Sequence, residues 1–219
     1  LIIALYHFIL YFQRRQDKAS LFFAFLCLVF ALRELSTSRL LQHTGLVEAG
    51  ESFGMMVAFE YATLPLGLIF FASFILALLP CNNFSRFVKY FCVYPGLLLC
   101  AFLLFSDVSF FTHYLNLFLL HVCLGAFWSL GHICYHSFKG NVLARWLLGA
   151  TLLALVGVVH DTNFGASNGY IVSYTFVVFI LVQSGVISES LARAFKRIKY
   201  LSENLQVEVD SQTLSLRAA

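Results

Sequence analysis

The sequence predicts an all-α, polytopic membrane protein: a bundle of seven helices followed by a polar helical tail. Three observations predict it. The chain of 219 residues is 60% apolar and 17% aromatic but only 11% charged, less than half the roughly 25% charge usual in soluble domains; its mean hydropathy is +0.84. The apolar residues fall into runs that match the roughly 20 helical residues needed to cross a hydrocarbon core of about 30 Å. The basic residues gather in alternate connections between those runs. This composition excludes a disordered chain, a secreted disulfide scaffold and an ordinary soluble enzyme.

The first run, Leu1 to Phe12, makes about 18 Å of helix and is too short to cross. It begins at the first residue and is expected to be the end of a longer helix. Neither the basic leader nor the small-residue cleavage site of a signal peptide accompanies it. Six full-length runs follow, near 20–40, 54–79, 86–106, 113–136, 144–160 and 169–190. Short connections make neighbouring helices antiparallel. Residues 1–190 therefore read as a seven-helix membrane domain, and 191–219 as a separate helical tail.

Orientation follows from charge. Arg14, Arg15 and Lys18 follow the first helix, Arg86 and Lys89 the third. Lys139 and Arg145 flank the fifth connection, and Arg193, Lys196, Arg197, Lys199 and Arg217 follow the last helix. These are 12 of the 14 Lys and Arg residues, all on one side. The connections near 41–53, 107–112 and 161–168 hold no Lys or Arg and carry Glu48, Glu51, Asp107 and Asp161 instead. The expected topology has the N-terminus outside and the C-terminus in the cytoplasm.

The tail carries Leu191, Phe195, Ile198, Leu201, Leu205 and Val209 at steps of three and four, which lines one helix face with apolar side chains. Two readings fit: a dimeric coiled coil, or an amphipathic helix lying on the membrane with Arg193, Lys196, Arg197 and Lys199 toward the lipid headgroups. In the strictest heptad one core position falls on Ser202. The six cysteines have neither CxxC nor zinc-site spacing and read as small apolar residues.

Ionisable groups within a bilayer are costly and mark functional candidates. Arg33 and Glu60 each lie about six residues, roughly 9 Å, below the outer ends of their helices. They form a candidate pair, either a static clamp or a latch between two states; removing one partner of such a pair costs about 3–5 kcal/mol. Pro65, about one turn deeper than Glu60, is a candidate hinge, a pivot or a simple bend. Arg39, His43, His113, His160, Asp161 and Asn163 form a polar rim at the outer mouth. Of these, His160, Asp161 and Asn163 are the first candidates for contact with a ligand or an outer partner. His121, His132 and His136 share one face of the fifth helix, where they either hydrogen-bond across helices or hold a metal or haem. Ser173, Gln183, Ser184 and Gly185 are the small or polar residues expected on the packing face of the last helix. No metal or other cofactor is expected, and no nucleic-acid partner.

Several stretches carry a resemblance. Tyr6-His7-Phe8-Ile9-Leu10-Tyr11 leads to Arg14-Arg15 and Ser20-Leu21-Phe22-Phe23-Ala24-Phe25. Ala31-Leu32-Arg33 with Ser36-Thr37, then Phe59-Glu60-Tyr61 and Leu64-Pro65-Leu66-Gly67, follow. Asp161 with Asn163 comes next, then Ala192-Arg193-Ala194-Phe195 and Leu201-Ser202-Glu203-Asn204-Leu205. Over about 1–215 the chain resembles the membrane domain of the bacterial seven-transmembrane receptors with diverse intracellular signalling modules. That resemblance implies an extracytoplasmic sensory module before the helices. It also implies a histidine kinase, diguanylate cyclase or phosphatase after them, reached through a dimeric helical linker. Leu205-x-x-x-Val209-x-x-x-Thr213 is similar to that linker, with Gln212 where the family commonly has Arg.

Other functions meet specific obstacles. Retinal chemistry needs a lysine within the last helix, and 169–190 has none. Asp/Glu-Arg-Tyr and Asn-Pro-x-x-Tyr, expected of eukaryotic G-protein-coupled receptors, are missing. A zinc-dependent membrane hydrolase around His160, Asp161 and His113 would need three ligands and an open position. A small-solute transporter would need a polar path, and few charges line one. These two stand as alternatives to a non-catalytic receptor domain that relays an outer stimulus through its last helix.

Overall fold

The computed structural model describes residues 1–37, 52–168 and 171–218. Among them are nine α-helices and no strand: α1 (Ile2–Gln13), α2 (Lys18–Thr37), α3 (Ser52–Leu78), α4 (Asn82–Phe87), α5 (Tyr94–Phe105), α6 (Val108–Thr112), α7 (Leu115–Phe138), α8 (Val142–Asn168) and α9 (Val172–Ala218). Six stretches are long and apolar enough to cross a membrane: Lys18–Ser36, Gly54–Leu78, Asn82–Phe105, Leu115–Phe138, Val142–Asp161 and Val172–Gln206. With the shorter apolar α1, they make up the seven expected helices. The fold class is the one the hydropathy pattern predicts.

The third span is not a uniform α-helix. Between α4 and α5 the backbone widens into a π-helical stretch, Val88–Val93, and the Tyr94 N–H reaches back to the Lys89 carbonyl. Pro95 follows at once. A proline inside a helix has no N–H to donate and crowds the carbonyl four residues before it, here that of Phe91. Widening the turn just ahead of it relieves that conflict. Pro65 is absorbed differently: α3 runs through it as helix from Ser52 to Leu78.

Ring contacts fix the register of the bundle. Phe25 stacks on Phe70 at 4.9 Å and Phe23 lies 5.2 Å from Phe74, so α2 and α3 run antiparallel. Phe84, Phe87 and Phe91 of the third span face His132, Trp128 and His121 of α7 in reverse order. Phe30 meets Phe176, and Phe71 meets Phe179, which seats α9 across α2 and α3. The main core gathers Phe23, Leu26, Phe74, Ile75, Leu79, Phe84, Ile133, Leu147 and Ile187, each at most 2% exposed. A smaller cluster at the other end joins Leu99, Leu103, Phe111 and Phe118 under the Tyr61 ring. Outside the core, side chains such as Phe105 and Leu104 stand 91% and 82% exposed, an apolar surface that fits hydrocarbon and not water.

The expected connection at 161–168 is helical: α8 continues to Asn168. Near the edge of a bilayer, a helix satisfies main-chain groups that an open loop would leave without partners. The expected connection at 107–112 likewise contains α6, which buries Phe111.

Close approach between helices depends on small residues. A Cβ added at Gly157 of α8 would lie 3.0 Å from the Cβ of Thr175 on α9, whereas one added at Gly149 of the same helix would meet nothing within 4 Å. Gly157→Ala is therefore expected to cost about 1–3 kcal/mol by overpacking. Gly149→Ala should be neutral or slightly stabilising. Thermal unfolding of the two variants in one detergent checks this, and equal midpoints would count against the close α8–α9 contact.

Candidate functional site

The last helix is tied to the first two by side chains at three levels. Ser173 Oγ donates to Glu34 Oε1 at 2.8 Å. Ser184 Oγ lies 2.6 Å from His7 Nε2. The Arg14 guanidinium sits 3.4 Å above the centre of the Phe195 ring. Positions 173, 184 and 195 are eleven residues apart, about three helical turns, so the three contacts share one face of α9. His7 is fully buried, packed edge-on against Phe23 at 4.8 Å. Beside Ser184, Gln183 is also fully buried, and neither end of its amide has a hydrogen-bond partner among the described residues. Of the four expected packing residues, Ser173, Ser184 and Gln183 meet or face the bundle. Gly185 is exposed, with nothing within 4 Å of an added Cβ.

Arg33 and Glu60 are neighbours, but the guanidinium meets the main chain of α3. Arg33 Nη1 donates to the Glu60 carbonyl at 3.5 Å and to Thr63 Oγ1 at 3.1 Å. Thr63 in turn donates to the same carbonyl at 2.6 Å. Ion pairs among the described residues are His160–Asp161, Arg193–Glu189 and Lys199–Glu203; Arg33–Glu60 is not one of them. Pro65, a little more than one turn along α3 from Glu60, is buried.

Of the outer-mouth candidates whose side chains are described, His160 and Asp161 meet each other and His113 makes a separate contact. Asp161 reaches across the connection to the start of α9: its Oδ1 and Oδ2 accept the N–H groups of Ile171 and Val172, each at 2.8 Å. Those amides begin a helix and have no partner within it, so Asp161 is a long-range cap. Its other contact is His160 Nδ1, 3.0 Å from Oδ1. His113 Nδ1 instead donates to the Ser109 carbonyl at 2.6 Å. Asn163 lies on α8, and its side chain is outside the described part. Arg39 and His43 lie outside the described residues, as do Glu48 and Glu51.

The α7 histidines pack against the third span. His132 Nε2 donates to the Leu79 carbonyl at 3.0 Å, and its ring stacks on Phe84 at 4.0 Å with planes 5° apart. His121 stacks on Phe91 at 5.4 Å, and His136 lies edge-on to His132 at 4.7 Å. Among the described residues no three His, Cys, Asp or Glu side chains are grouped as metal ligands, and the six cysteines are free thiols.

Along the tail, Leu191 packs on the core, while Phe195, Ile198, Leu201, Leu205 and Val209 stand 51–64% exposed. The stripe predicted from the three- and four-residue steps is a continuous apolar line beyond the bundle.

Seven apolar helices, the last of them continued as a long tail, make this a polytopic membrane domain. The family described as 7TM diverse intracellular signalling matches residues 1–195, and the chain belongs to it. No match is found among curated proteins or among solved structures. The protein is thus a seven-helix membrane domain of a signalling receptor family.

The three contacts on α9 were not predicted as pairs. Ser173 and Ser184 stand out in an apolar helix, but a sequence does not name their partners. Arg14 and His7 read only as a basic connection and a family motif.

Two outcomes test these assignments. Arg33→Ala should lower stability by about 1.5 kcal/mol, the low end for a charged hydrogen bond, because the group is partly exposed. Glu60→Gln keeps the carbonyl and should change stability by no more than about 0.5 kcal/mol. A double-mutant cycle should give Arg33 and Thr63 a coupling of at least about 0.5 kcal/mol; a cycle that couples Arg33 to the Glu60 carboxylate instead would reject the carbonyl assignment. Asp161→Ala should speed amide exchange at Ile171 and Val172 relative to the middle of α9. Unchanged exchange there would mean that Asp161 is not the cap.

Proposed function

We propose that this domain relays an extracytoplasmic stimulus to a cytoplasmic output module through movement of α9. One observation carries the reading: α9 is a single helix of 47 residues, Val172–Ala218, about 70 Å long. A rotation or axial shift at its membrane end therefore reaches the far end of the tail with no joint to absorb it. The basic connections support an outside N-terminus and a cytoplasmic tail in a bacterial inner membrane. The output module, a histidine kinase, diguanylate cyclase or phosphatase, would follow the tail, and the sensory module would precede α1. The domain itself does no chemistry in this reading.

The dimer forms through the apolar stripe, with a second copy of this chain covering Phe195, Ile198, Leu201, Leu205 and Val209. Phe195 has two uses that exclude each other. Its ring lies under Arg14 in the state described here, and it belongs to the dimer seam in the other. Coupling requires that the stimulus favour one state over the other. The Gln183 amide, without a partner among the described residues, supports a second packing of comparable energy, since an unpaired buried amide costs about 1–3 kcal/mol that a rotation of α9 would recover. Arg33 with Glu60, and Pro65 beneath them, anchor the part of the bundle against which α9 moves.

Single cysteines placed from Ser190 to Gln206 on a cysteine-free background, oxidised in native membranes, test the reading. Cross-linking should peak with a period near 3.5 residues, and Arg14→Ala should raise it at the positions flanking Phe195. A flat profile would leave a monomer with a surface-lying tail and reject the relay.

A further inference from the structure

Toward the end of the bundle that carries the basic connections, a cleft of about 310 Å³ opens sideways between the start of α4 and the second half of α7. Asn83 and Cys81 form its mouth; Phe127, Trp128 and Gly131 form one wall. Phe84 is its floor, held flat against His132, which is in turn bonded to the Leu79 carbonyl. The floor is therefore fixed by stacking and a hydrogen bond. Phe127 and Trp128 are 77% and 56% exposed, and a Cβ at Gly131 would meet nothing within 4 Å, so that side lies open to the membrane. Phe127 is eleven residues from the end of α7 at Phe138, about 16 Å of helix. The cleft thus runs from headgroup depth at Asn83 into the hydrocarbon at Phe127.

The charge around its mouth is one-sided. Arg86, Lys89, Lys139 and Arg145 gather at this end, while from Ala62 to His160 the sequence has a single acidic residue, Asp107, at the opposite end. None of these four cations is in an ion pair among the described residues. The main-chain amides of Phe84 and Asn83, with a smaller contribution from Lys139, draw the Cys81 thiol below the ordinary cysteine range against the opposing effect of burial. Lys139 rests over the Tyr135 ring at 4.3 Å and Lys89 over the Tyr90 ring at 5.6 Å, so these cations are met by rings and by no carboxylate among the described residues.

We propose that the cleft seats one anionic phospholipid from the leaflet on the basic side. Its phosphate lies at Asn83 and the Arg86–Lys139 cations, and one acyl chain runs over Gly131 along Phe127 and Trp128. Basic pockets at helix ends bind anionic headgroups by this chemistry. The apolar walls distinguish the site from one for a free phosphate. A lipid there would bridge α4 and α7, away from the moving helix, so the inference stands independently of the relay reading.

The test is native mass spectrometry of the full chain with phosphatidylglycerol or phosphatidylcholine of identical acyl chains. The wild type should retain one phosphatidylglycerol about fivefold better than phosphatidylcholine. Gly131→Leu fills the cleft and should remove tight retention of both lipids. Arg86→Gln with Lys139→Gln should bring the two lipids to parity. Gly149→Leu, exposed on α8, should change neither. In the wild type, a photoreactive phosphatidylglycerol should label the peptide containing Phe127 and Trp128; this arm does not depend on how any variant folds. Equal retention of the two lipids by the wild type, unchanged retention by Gly131→Leu, or label spread evenly over the spans would overturn the proposal. So would capture of a second copy of the chain at Trp128 in place of lipid.

Discussion

Hydrocarbon is a solvent that offers no hydrogen bonds, and this structure follows from that constraint. Main-chain groups must be satisfied within each segment, so every span is helical, even where a proline interrupts the pattern. At Pro95 the backbone widens into π geometry; at Pro65 the helix carries through. The same constraint makes each polar side chain in the bundle conspicuous. Those in the described part mostly bond to main chain or to one another: Arg33 to the Glu60 carbonyl, His132 to the Leu79 carbonyl, Asp161 to the first amides of α9.

Helices in a membrane gain little from the hydrophobic effect when they associate, so close packing and a few polar bonds decide which contacts are firm. By that measure α9 is held unevenly. Near its start it lies against α8 at Gly157 and Thr175 and is capped by Asp161. Toward the basic end Ile187 and Leu191 pack on the core, and the polar ties to α1 are the hydroxyl of Ser184 on His7 and the ring of Phe195 under Arg14. Its polar ties to α1 and α2 are isolated side-chain contacts along one face, while Phe179, Val186 and Ile187 are buried in the bundle. Gln183, buried beside Ser184, has no hydrogen-bond partner for its amide among the described residues.

Much of the fold was legible because it follows from length and solvent alone. Runs of about twenty apolar residues mark the spans, and the steps from Leu191 to Val209 mark an apolar face that is indeed exposed beyond the bundle. Contact partners were less legible. Depth brought Arg33 and Glu60 to one level, but it does not choose between a carboxylate and the carbonyl of the same residue. Asp161 read as part of a polar rim because its cap lies across a connection, on Ile171 and Val172. The His7–Ser184 contact joins residues 177 apart in the chain, a distance no local pattern spans. The helical course of 161–168 was hidden by its polar composition, which reads as loop until the main chain's need for partners is considered.

The central claim is that α9 moves as a rigid rod against a fixed bundle. Spin-label distances measured in liposomes, with labelled protein diluted into unlabelled, test it most directly. One pair spans Ser85 and Ser202; the other, Ser188 and Ser202, lies within α9 at about 21 Å. The wild type is compared with a His7→Ala, Arg14→Ala double variant. The account predicts that the first distance shifts or splits in the variant while the second stays narrow and unchanged. An unchanged first distance, or a second that broadens because the helix bends, would contradict it.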